Sequence, residues 1–112
     1  MVTMEIDTRS AEELVKAVGD DCFEANQLID RYFASSCLRA KEALILLLDS
    51  PESHIAAIAY CGLLKGPHYP RDSELMKRLS DFKKDPIVRE RGTIELVVNS
   101  LKRYRLMHEG DL

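Results

Sequence analysis

The chain has no Trp, and its three Phe and four Tyr make aromatics only 6% of 112 residues. It also lacks the cysteine pattern of a stapled domain. Cys22, Cys37 and Cys61 form an odd set with no CxxC step. A disulfide frame needs pairs and a structural zinc site needs closely spaced ligands, so free, buried or half-buried thiols are expected. Long apolar runs are missing too. The longest, "ALILLL" at residues 43 to 48, falls far short of the ~20 residues that a membrane-spanning helix requires. The opening "MVTMEIDTRS" carries acids and no apolar stretch, which fits neither a secretory signal nor a transit peptide, so a soluble, cytoplasmic protein is expected.

Catalytic signatures are equally scarce. The sequence contains no GxxxxGK[ST] or GxGxxG phosphate loop and no GxSxG elbow. His54, His68 and His108 lie far apart, without the one-turn spacing of a helix-borne metal pair, and no metal or cofactor is expected. The carboxylate pairs Glu12/Glu13 and Asp20/Asp21 stand where helices begin, and there the helix dipole accounts for them. No stretch alternates with period two for long enough to propose a strand.

Helix formers dominate what is present. With 46% hydrophobic and 31% charged residues the composition is that of an ordinary globular domain, and the length suits one domain. Charge is unevenly spread. Residues 1 to 56 carry 5 Lys/Arg against 11 Asp/Glu and residues 57 to 112 carry 11 against 8, within a net charge of −3. Neither half has the dense basic cluster that neutralises nucleic-acid phosphates.

Helix starts can be read from capping residues. "SAEE" at Ser10 and "DCFE" at Asp21 have the form of a capping box, and "DSPE" at Asp49 and "DP" at Asp85 put Pro in a first turn. "SCLRA" at Ser36 and "RDSEL" at Asp72 are weaker starts. Six helices follow, at about 10 to 18, 21 to 35, 37 to 48, 51 to 64, 72 to 83 and 86 to 107. Their apolar stripes define an expected core, for example Ala25, Leu28, Ile29, Tyr32 and Phe33 in the second and Leu75, Leu79 and Phe82 in the fifth. The third helix is apolar on nearly every side, which predicts neighbours on more than one face.

Short acidic breaks divide the helices into pairs, whereas "KGPHYPRDS" is a longer Gly/Pro-rich connector. The pairs, about 10 to 35, 37 to 64 and 72 to 107, each run apolar helix, acidic turn, second helix. The turn residues Asp20, Asp49 and Asp85 are 29 and 36 residues apart, a spacing suited to stacked helical hairpins.

"DPIVRERG", with Asp85, Pro86, Val88 and Arg89 in order, resembles the inter-helix turn of HEAT-type repeats, and "LLLDSPESHIAAIAYCGLL" matches its apolar and small positions, with Ala56 where that family has Arg. The resemblance implies an all-α chain of three stacked antiparallel hairpins, a closed up-and-down bundle being the alternative. It further implies a small protein-binding or scaffold module without catalysis, its partner surface lined by second helices. The residues off the apolar stripes of those helices, Gln27, Arg31, Ser53, Tyr60, Arg89 and Arg103, are the candidate binding residues. Tyr60 has two readings, an anchor for a partner or a ring packed beneath the neighbouring hairpin.

A second resemblance lies in "RYRLMH". Arg103 and His108 are spaced as in the R-x4-H motif of HEPN-type helical bundles, which implies RNase activity or RNA or nucleotide binding, with Arg103 steadying phosphate and His108 moving a proton. Tyr104 replaces the small polar residue usual after that Arg. The third alternative is a structural subunit that self-associates through its unequal charge halves. Another protein is the favoured partner, with nucleic acid less favoured.

Overall fold

The first helix starts as its capping box requires. Ser10 Oγ accepts from the Glu13 amide at 3.2 Å, and the Glu13 carboxylate accepts from the Ser10 amide at 2.8 Å. A computed structural model describes residues 10–35, 37–69, 71–99 and 102. Among these the chain is all-α, with no strand. The elements are α1 (Ala11–Val18), α2 (Cys22–Ser35), α3 (Leu38–Leu47), α4 (Ser53–Lys65), α5 (Ser73–Lys84), α6 (Pro86–Glu90) and α7 (residues 93–99).

Asp side chains open three of them. Asp21 accepts from the Phe23 amide at 2.9 Å, Asp72 from Leu75 at 3.1 Å and Asp85 from Ile87 at 2.9 Å. Pro86 stands in the first turn of α6, where its missing N–H leaves no bond unmade. The start of α4 differs from expectation: Glu52 is its N-cap without a side-chain bond, and Pro51 precedes the helix. The last predicted helix is also broken. Gly92, at φ 74°, takes a left-handed conformation that other residues adopt at a cost, and this separates α6 from α7.

Close backbone packing joins α1 to α3, α2 to α4, α3 to α4 and α2 to α3. The central place of α3 follows from its sequence, since Ala40, Ala43, Leu44, Leu47 and Leu48 are all buried and serve three different neighbours. Leu46 departs from this pattern at 41% exposed. Between α2 and α4 the approach depends on two glycines. A Cβ on Gly62 would lie 2.6 Å from Ile29 Cγ1, and one on Gly66 would overlap the Tyr32 ring. These partners are 33 and 34 positions apart, so α2 and α4 run side by side in the same direction.

The same separation recurs further along the chain. Lys41 of α3 pairs with Asp72 at the head of α5, 31 residues on, and Asp49 just past α3 accepts from Arg78 Nη2 at 2.7 Å, 29 residues on. Cys61 of α4 lies 3.9 Å from the Val97 carbonyl of α7, 36 residues on. Leu75, Leu79 and Phe82 are each 2% exposed and carry α5 onto this core, and burial of side chains this size is worth about 1.5–3 kcal/mol each.

Candidate interaction surface

The second helices α2 and α4 share one layer, and each candidate binding residue on them has a definite place. Gln27 and Arg31 face away from α4. They line a small recess against α1 with Leu14, Ala17, Val18, Glu24 and Leu28. Ser53 is half-buried in the first turn of α4, and Arg89 is exposed on α6. Arg103 and His108, and with them the R-x4-H motif, lie outside the described residues. The structure therefore brings Gln27 and Arg31 together and leaves Ser53 and Arg89 on other elements.

Tyr60 is not on an open face. It is 6% exposed, and its ring stacks on Phe82 of α5 with centroids 5.2 Å apart and planes 24° apart. Of the two readings of this residue the packed ring is the one seen, because α5 covers the side of α4 that looks away from α2. Burial, with smaller contributions from Tyr69 and Cys61, raises the hydroxyl above its ordinary pKa of 10.0. Cys61 lies one position on, where burial pushes the thiol up to about 11 against a weaker opposing effect of Lys65. A thiol held so far from thiolate is a poor nucleophile.

A polar cluster marks the junction of α2, α3 and the connector before α5. Tyr32 is fully buried, and its hydroxyl lies 2.7 Å from Nδ1 of half-buried His68, the two rings within 10° of parallel. Burial raises the Tyr32 pKa first, the His68 backbone amide lowers it and nearby Asp72 raises it. Asp72 is held below the usual carboxylate range by its bond from Lys41 first and by the Leu75 amide second. One ring nitrogen of His68 is thus engaged by Tyr32. From there an open groove of about 430 Å³ runs between α3 and α5, lined by Lys41, Ile45, Asp72, Leu75, Arg78 and Asp81 among others. It carries both signs of charge.

Sequence periodicity missed the apolar groups that remain uncovered on the second-helix layer. Phe33, in the last turn of α2, is 42% exposed and its ring meets that of Tyr32 at 6.2 Å. Helical spacing places exposed Asn26 on the same side of α2, two turns away. The signal was available in α2, where Phe33 is the member of the apolar stripe furthest from its centre.

Among the described residues no group of three His, Cys, Asp or Glu is arranged to hold a metal ion, and no helix is long and apolar enough to cross a membrane. No family model, curated protein or solved structure matches the chain.

Proposed function

We propose that the chain is a short HEAT-like helical-repeat module that binds another protein through the layer formed by α2 and α4. The observation that carries this reading is that several neighbours lie about one helical hairpin apart in sequence, although Asp49–Arg78 are 29, Tyr60–Phe82 22 and Pro51–Arg91 40 positions apart. Ile29 meets Gly62, Tyr32 meets Gly66, Lys41 meets Asp72 and Cys61 meets Val97, all between 31 and 36 positions apart. Helix pairs that recur at such an interval and cover each other's apolar sides make a quasi-linear stack, whose layers offer extended surfaces for macromolecules. The step from stack to protein binding is an analogy of fold, supported locally by the exposed Phe33 ring at the end of α2.

The test uses the full chain as bait in a cell lysate beside a Phe33→Asp variant. Phe33 is already partly in water, so the variant should melt within a few degrees of the parent while losing the captured protein. Equal capture by both removes the surface from consideration. RNA cleavage by the parent that His108→Ala abolishes would replace this reading with the nuclease one.

A further inference from the structure

Two kinds of interface coexist in the molecule. Within α1–α4 the contacts are backbone-close: Ala25, Ala40, Ala43 and Ala59 are fully buried, Gly62 lets α4 come up against Ile29, and Gly66 leaves no room for a methyl group beside Tyr32. The α5–α7 segment is joined differently. Its α7 brings the Val97 carbonyl within 3.9 Å of Cys61 Sγ, whereas α5 packs its backbone closely on α6 and reaches α3 and α4 chiefly by long side chains. Those are the Phe82 ring on Tyr60, Arg78 on Asp49, Lys41 on Asp72, and Arg91 on the Pro51 carbonyl at 3.4 Å. The open groove separates α5 from α3 over much of their length.

We propose that α5–α7 opens as one cooperative unit from a stable α1–α4 body, with the Tyr60–Phe82 stack as the latch. Proteins open in contiguous units whose free energies follow buried apolar contact, and the outer unit has few such anchors, chiefly Leu75, Leu79, Phe82 and Val97. The Arg78–Asp49 pair is largely exposed at the rim of the open groove, where such pairs contribute little and salt screens them. The described connector residues 66–69 and 71–72 are not helical, and the Tyr32–His68 bond ties the first part of the connector to the inner body. Opening would uncover Tyr60 and the α4 side beneath it. This inference stands apart from the identity of any partner.

Native-state hydrogen exchange of the full chain in rising urea tests it. The protected amides of α5–α7 should merge into one isotherm at least about tenfold less protected than the isotherm of α2–α4. Phe82→Ala removes the latch and should speed exchange in α5–α7 by roughly a hundredfold or more, leaving α2–α4 unchanged. A milder variant, Arg78→Met, should speed the same amides by only a few-fold. A single isotherm across α2–α5 in the parent overturns the proposal. So does a Phe82→Ala protein in which all helices lose protection together.

Discussion

Replacing Gly66 by Ala tests the close approach of α2 to the end of α4. The backbone there, φ −78° and ψ 176°, suits any residue, so without neighbours the change would stabilise by about 0.4–1 kcal/mol through the unfolded chain. The neighbours decide otherwise. An added methyl carbon would overlap Tyr32 Cε2 and sit 3.1 Å from Cζ and 3.0 Å from the Gly62 carbonyl oxygen. Tyr32 has nowhere to go, being fully buried with its hydroxyl tied to His68. Overpacking of this kind costs about 1–3 kcal/mol, leaving a net loss of about 1–2 kcal/mol, or roughly 4–10 °C in Tm for a domain of this size. Urea and thermal melts followed by circular dichroism read the effect. Tyr32→Leu in the same chain should cancel most of the additional loss, giving a coupling of about 1 kcal/mol. A Gly66→Ala protein that melts at or above the parent temperature would refute the close-approach argument. Gly62→Ala is the internal control. Its methyl would meet the half-buried Ile29 side chain, which can turn aside, and helix propensity returns up to about 1 kcal/mol.

Three other perturbations report on separate parts of the fold. Tyr32→Phe deletes the bond to His68 Nδ1 and should cost about 1 kcal/mol in urea unfolding, with the helical signal unchanged. Because the Asp72 pKa is lowered in the folded chain, its contribution to stability is present above the ordinary value of 3.8 and is lost as pH falls through the depressed folded value. Asp72→Asn should therefore flatten the acid limb of a plot of unfolding free energy against pH, and an unchanged limb would contradict the Lys41 pairing. At pH 8, labelling by a disulfide reagent should reach exposed Cys22 well before Cys61, whose thiol titrates at about 11, and equal rates would contradict its burial.

Features set by local rules were legible in the sequence. Ser10, Asp21, Asp72 and Asp85 cap helices because their side chains answer amides two or three residues away, and Leu75, Leu79 and Phe82 are buried because they recur once per turn. Features that depend on a distant neighbour were not legible. Tyr60 lies on a helix with buried residues on several sides, and only the position of α5 decides that its ring is covered. Phe33 and Leu46 belong to apolar stripes wider than the seams they serve, so both remain partly in water. Gly62 and Gly66 read as ordinary residues near a helix end until Ile29 and Tyr32 are set against them. The break at Gly92 falls between these cases. A glycine signals permission for a left-handed turn, but whether the chain uses it depends on what the following helix must reach. Of the candidate surface, Gln27, Arg31 and Ser53 could be assigned to helices from sequence, yet the exposed ring of Phe33 emerged only from packing.

A chain whose tertiary partners sit about thirty residues apart never has to close a long loop before it is rewarded. Such low contact order places folding in roughly the microsecond to millisecond range. It also sets a sequence of events during synthesis, which proceeds at about 5–20 residues per second. The close helix contacts of α1–α4 all lie before Ser73, with His68 of the connector closing on Tyr32, so the partners of that body are made before α5.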